Sequence, residues 1–183
     1  MPTILSHPAV PLALGLGLGA RVVPPRVMIA GIVASIVPDF DVLGFWFGIP
    51  YAASFGHRGA THSLAFAVLL GSIALALAPR LQATRPAAFL FVTVAAASHG
   101  LLDTCTNGGL GIALGWPWTE ARFFAPWRVI EVSPLSLRGM MSARGIDVLR
   151  SELQWVWLPA ALVFAGLFSL RRSRQNSGTR SKA

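Results

Sequence analysis

The chain has 183 residues, of which 54% are hydrophobic and 12% charged, and its mean hydropathy is +0.63. A soluble globular domain carries about twice that share of charge, so the composition excludes a soluble protein and places the chain in a membrane. Fifteen Lys and Arg against seven Asp and Glu give a net charge of +8, but the basic residues lie in separate short stretches. No single groove collects them, and a nucleic-acid partner is not expected.

Five apolar segments follow in chain order, at 8–23, 27–49, 63–79, 86–102 and 153–170. A spanning helix needs about 20 apolar residues. Four segments reach that length with their flanks, and the first, short and glycine-rich, is marginal. These predict an all-α, polytopic membrane bundle of about five apolar helices, with a long outer loop between the last two. One domain is expected over 1–170, and a basic, unstructured cytoplasmic tail over 171–183. The N-terminal run lacks the basic stretch a secretory signal carries ahead of its apolar core, since Arg21 and Arg26 come after it. A retained first helix is therefore expected, with a cleaved signal as the alternative. Cys105 is the single cysteine and reads as a small buried thiol; no internal disulfide can form.

Orientation follows from the arginines. Arg21 and Arg26, Arg80 and Arg85, and Arg171, Arg172, Arg174, Arg180 and Lys182 flank the segments on one side, and the positive-inside rule puts that side in the cytoplasm. The expected topology is multi-pass with the C-terminus inside. The connections 50–62 and 104–152 then face outward. So do all four histidines and three of the acids: His7, Asp39, Asp41, His57, His62, His99 and Asp103. An ionisable group at membrane depth costs roughly 2.5 kcal/mol or more on insertion scales, so such residues are site candidates, and histidine with carboxylate is a metal-ligand set.

In chain order the first candidate is His7, which by spacing alone is also compatible with an interfacial role. Asp39 and Asp41 would lie on opposite faces of an unbroken helix, but Pro38 removes a backbone donor and should kink or stop it, turning both toward one cavity. The alternative is a capped helix break. In His57-Arg58-Gly59-Ala60-Thr61-His62-Ser63 two imidazoles flank a glycine turn, and Thr61 or Ser63 can cap a helix beginning near Leu64. Arg58 suits a phosphate or carboxylate of a substrate, or equally a counter-ion role toward the aspartates or a lipid headgroup contact. His99 and Asp103, four apart on a helix, share a face and can grip one ion; a simple His–Asp hydrogen bond is the structural alternative. Ser63 beside His62 does not make a nucleophile by adjacency. In the long loop, Trp116, Trp118 and Trp127 are interfacial by type. Arg122 and Arg128 suit headgroups or simple anchoring.

Pro38-Asp39-Phe40-Asp41, the His57 to Ser63 stretch and His99-Gly100-Leu101-Leu102-Asp103 resemble the serial motifs PDxD, HRGxTHS and HxxLD of the bacterial inner-membrane-associated metal-dependent hydrolases. Gly115-Trp116-Pro117-Trp118 with Arg122-Phe123-Phe124 is similar to the stretch that follows them. With His7, the likeness covers residues 1 to about 130. It implies a helical protein of the bacterial inner membrane whose histidines and aspartates bind divalent metal. A more distant similarity is to zinc-dependent phospholipase C, carried by His7, Asp39 or Asp41, His57 or His62, His99 and Asp103. No histidine follows His99, so one or two ions, not three, are expected.

The expected activity is hydrolysis by metal-activated water, with zinc the favoured ion and other divalent ions open. The expected substrate is a phosphate ester of a lipid or an envelope metabolite. Arg58 would pair with a phosphoryl oxygen, and Asp39 or Asp41, whichever is not a ligand, would act as general base. Membrane lipid is the expected contact, and the sequence names no protein partner. The alternatives are a non-catalytic protein with a closed structural metal site, or a metal or proton transporter. A transporter needs polar groups through both halves of the bilayer, and the cytoplasmic halves offer almost none.

Overall fold

The computed structural model of the chain describes residues 1–134 and 136–180. Its helices are α1 (Ala9–Leu18), α2 (Pro25–Ala34), α3 (Leu64–Ala76), α4 (Arg85–Thr104), α5 (Leu137–Met140), α6 (Ala143–Glu152) and α7 (Leu158–Arg180). A 3₁₀ helix, Val37–Phe47, prolongs α2, and a π turn, Leu153–Trp157, joins α6 to α7. Among the described residues no strand forms, only two isolated bridges in the long connection. The architecture is the expected all-α membrane bundle.

Local chemistry sets the helix starts. Proline at the start of α2 and α4 occupies positions whose N–H would be unpaired, and Thr84 accepts from the Ala87 N–H to cap α4. Ser63 caps α3 by accepting from the Phe66 N–H at 3.1 Å, so that helix begins at Leu64 as its sequence indicates. Between α2, α3 and α4 the core is built from Ala34, Ala67, Ala74, Ala88, Ala96 and Val92. Lipid tails are as apolar as leucine, so helices associate in a membrane through close packing, which small residues allow.

Three stretches are long and apolar enough to cross a membrane: Pro25–Phe47, Arg85–Thr104 and Ala143–Asn176. The segment 63–79, expected to reach spanning length with its flanks, gives only the 13-residue α3. Pro79 and the left-handed Gln82 (φ +56°) turn the chain back toward α4 there. α1 has 10 residues. α7 continues to Arg180, into the stretch expected to be an unstructured tail; nothing between Leu170 and Gly178 breaks a helix, and Arg and Gln favour one. Residues 181–183 of that expectation lie outside the described residues.

α7 packs against α1, with Trp157 Nε1 donating to Ser6 Oγ at one end (3.0 Å) and Arg171 Nη1 to the Leu16 carbonyl at the other (3.1 Å). One end of the bundle therefore gathers the start of α1, the 3₁₀ helix, the start of α3 and the end of α4. The long connection folds back over that end. Its backbone bonds run from Ala113 N to Arg58 O, Leu64 N to Leu114 O, and Ala125 N to Thr104 O, at 2.9 to 3.1 Å.

Candidate metal centre

His99 and Asp103 occupy the last two turns of α4, one turn apart on one face, and both are fully buried. Their closest approach, His99 Nε2 to Asp103 Oδ2, is 3.8 Å, too long for a hydrogen bond. The helix instead presents both atoms to a shared point. His62 reaches that point from the loop because Gly100 lies between them in sequence. A Cβ on Gly100 would fall 2.5 Å from the His62 carbonyl oxygen, so only glycine lets the loop lie against α4.

The break expected near Pro38 is present: the α-helix stops at Ala34, and from Val37 the chain continues in 3₁₀ geometry, which turns Asp39 inward and Asp41 toward the loop. His62 sits between the two carboxylates. Its Nε2 is 3.6 Å from Asp39 Oδ1 and 3.3 Å from Asp103 Oδ2, while its Nδ1 is 3.2 Å from Asp41 Oδ2. His7 completes the inner group from ahead of α1. Its ring stacks on His99 with centroids 3.7 Å apart, and its Nε2 is 3.7 Å from oxygens of both Asp39 and Asp103.

The inner group thus brings three imidazole Nε2 atoms and two carboxylates to one place, none more than 4% exposed. Those nitrogens and all four oxygens have no hydrogen-bond partner. An unpaired buried polar group costs about 1–3 kcal/mol, and more when charged, so a cluster of them needs an occupant. Donors ~2.1 Å from a single ion lie about 3.0–3.5 Å from each other, close to the 3.3–3.8 Å spacings here. Asp39, His62, His99 and Asp103 form a buried set that can hold a metal ion, and His7 adds a fifth donor at similar range.

The surrounding bonds orient these donors. His99 Nδ1 donates to the Ser35 carbonyl at 2.8 Å, which leaves Nε2 as the lone-pair side. Asp41 accepts from the Arg58 N–H at 3.1 Å and the Thr61 hydroxyl at 2.8 Å, and pairs with His57 Nδ1 at 2.6 Å. Asp41, His57 and His62 also have the spacing of a metal group. Their facing atoms are already paired with one another, so Asp41 and His57 form the outer brace that fixes His62. Burial pushes His7 down to about 3, helped by the neighbouring His99 ring, so His7 is neutral and able to donate a lone pair. Burial also opposes charge on His62, but Asp103, Asp39 and Asp41 outweigh it and push that imidazole up to about 10. Without another cation, the carboxylates hold a proton on His62.

Of the roles expected for Arg58, its position is that of a counter-ion to Asp103. It is 1% exposed, with Nη1 donating to the Gly108 carbonyl at 2.6 Å, Nη2 to Thr106 Oγ1 at 3.0 Å, and Nε 3.8 Å from Asp103 Oδ2. Each N–H₂ group makes a bond within the fold, and the side chain is closed off from solvent. Arg122 is likewise committed, its guanidinium donating to the carbonyls of His57, Tyr51 and Ala53, so it clamps the loop and does not hold a headgroup. Arg128 lies over the Phe124 ring, and Trp118 and Trp127 are about four-fifths exposed. Ser63 Oγ donates to the Ala60 carbonyl as part of its cap, and Cys105 is half-buried and outside the donor group.

One contributor escaped the sequence reading. Glu152, 2% exposed, accepts from the Thr3 N–H and from the hydroxyls of Thr3 and Ser6, both at 2.7 Å. It ties the residues just before His7 to the π turn. In sequence it is one loop charge among several; its only signal is its place directly ahead of an apolar segment.

Fold and centre together define a helical membrane protein with a buried histidine–aspartate cluster at one end. The chain belongs to the YdjM inner membrane protein family, whose match spans residues 1–176. It is 48% identical over 173 residues to inner membrane protein YbcI of Escherichia coli (strain K12), a match covering 94% of this chain and 100% of that protein. No solved structure matches. The chain is accordingly an inner membrane protein of a bacterial family.

Proposed function

We propose that the chain is a membrane-embedded, metal-dependent hydrolase that acts on a phosphate ester of a lipid or envelope metabolite from the outer side. The carrying observation is the inner group: five buried donors on four separate chain elements, aimed at one point without partners among themselves. Nitrogen and carboxylate donors suit zinc, with manganese or iron as further ions of the same preference. A divalent ion held there supplies Lewis acidity, which at a zinc centre brings the pKa of water to about 7.

The chain's own residues divide the remaining work. His7, His62 and His99 with Asp103 suffice to hold one ion. Asp39, whose two oxygens accept no hydrogen bond, is the carboxylate free to take a proton from water. Asp41 is not that base, because three donors already engage it. Arg58 balances the charge of Asp103 from within the fold. The arginines at the opposite end favour a cytoplasmic location for that end and the outer face for the centre, with the C-terminus inside. Exposed Trp118 and Trp127, on the connection that covers the centre, suit a substrate approaching through the interface.

The burial of all five donors supports a second reading, a closed structural metal site. An enzyme must keep a position open for water, and a structural site fills its shell. The test is turnover by metal-loaded, detergent-purified protein on phosphodiester and phospholipid panels. Metal-dependent release of product, lost in Asp39→Asn while the ion is retained, is the expected result. A stably metallated protein inactive on every panel would favour the structural site.

A further inference from the structure

At the end of the bundle away from the centre, α1 and α7 enclose a groove of about 1090 Å³. Its walls include Gly17, Gly19, Arg21, Leu167, Arg171 and Arg174. Two glycines shape it. A Cβ on Gly17 would fall 2.7 Å from Leu167 Cβ, and one on Gly19 (φ +82°) would fall 1.9 Å from Arg171 Nη1. The second glycine is needed both for its backbone conformation and to let the Arg171 guanidinium lie across the end of α1, where it donates to the Leu16 carbonyl.

Among the described residues no carboxylate answers these arginines. The seven acidic residues are Asp39, Asp41, Asp103, Glu120, Glu131, Asp147 and Glu152, and none lies on α1, on α7 or in the turns at this end. Arg21 and Arg174 are exposed, and the groove is bordered by exposed Leu16, Val22 and Leu170. Three arginines line one groove beside an apolar helix pair in an inner membrane protein. That combination calls for an anion with an apolar tail.

We propose that this groove binds the phosphate of an anionic phospholipid, with Arg21, Arg171 and Arg174 around the headgroup and the acyl chains along α1 and α7. The planar forks of the arginines match phosphate oxygens, and the helix faces match the tails. Free phosphate shares the first chemistry and lacks the second.

The test titrates the full-length chain in neutral detergent micelles with dioleoylphosphatidylglycerol, dioleoylphosphatidylcholine and inorganic phosphate, reading bound ligand by native mass spectrometry. Phosphatidylglycerol should bind best, and each arginine removed should cost roughly fivefold in affinity. The double variant Arg21→Gln/Arg174→Gln leaves the Arg171 contact with α1 in place and should lose about 25-fold at unchanged helicity. The charge-matched variant Arg26→Gln/Arg80→Gln, at the same end but outside the groove, should bind as wild type. Equal losses in the two variants, equal binding of phosphatidylcholine, or equal binding of inorganic phosphate would each overturn the proposal.

Discussion

At one end of this bundle His7, Asp39, His62, His99 and Asp103 are almost fully buried; at the other Arg21, Arg26, Arg174 and their neighbours stand exposed, with no carboxylate beside them among the described residues. Both ends present groups that call for an outside partner, but they do so differently. Buried groups cannot borrow water, so their missing partner must fit inside a fixed cage, and the protein spends Asp41, His57, Ser35 and Glu152 on holding that cage. Exposed arginines need no cage. Their partners come from the surface in which the protein sits, beyond the backbone contacts that Arg171 makes with the Leu16 carbonyl and Arg26 with the Arg80 carbonyl. One end has the structure of a selective site and the other that of a lipid-facing one.

The contrast predicts separable effects. His62→Ala and Asp103→Ala each remove a donor from the middle of the inner group and should reduce bound metal from one ion per chain to background, measured on detergent-purified protein. Asp41→Asn keeps every donor but loosens His62, so metal affinity should fall about 10–100-fold, read by competition with a chromophoric chelator. Chelator treatment of loaded protein should lower the unfolding temperature, since an ion present at 100 times its Kd contributes about 2.7 kcal/mol. Glu152→Gln should have the smallest effect at this end. It keeps the size of the side chain but weakens the hold on Thr3 and Ser6, so a loss of about tenfold or less is expected, by the same competition assay. Arg21→Gln/Arg174→Gln should leave metal content unchanged, and any loss there would join two ends that the structure keeps apart.

Much of this division is legible in the chain. The apolar segments, the arginines between them, the break at Pro38 and the four-residue spacing of His99 and Asp103 all precede any coordinates. What escapes is whatever depends on local geometry or distant pairing. Asp39 and Asp41 look equivalent until the chain tightens to 3₁₀ at Val37 and sends them to opposite nitrogens of His62. Arg58 is a plausible substrate contact until Thr106 and Gly108 return from 48 and 50 residues away to occupy its N–H groups. Glu152 meets Thr3 across 149 residues, a pairing that no spacing rule encodes. The helical course of residues 171–176 is masked by their charge, although their helix propensity is good.

The most direct measurement is metal content by elemental analysis of the detergent-purified wild-type chain beside His99→Ala and Asp103→Ala, each checked for retained helicity. A buried centre built from these donors predicts about one divalent ion per wild-type chain and close to none in either variant. Equal metal in all three proteins, or none in the wild type after incubation with zinc, manganese and iron, would contradict it.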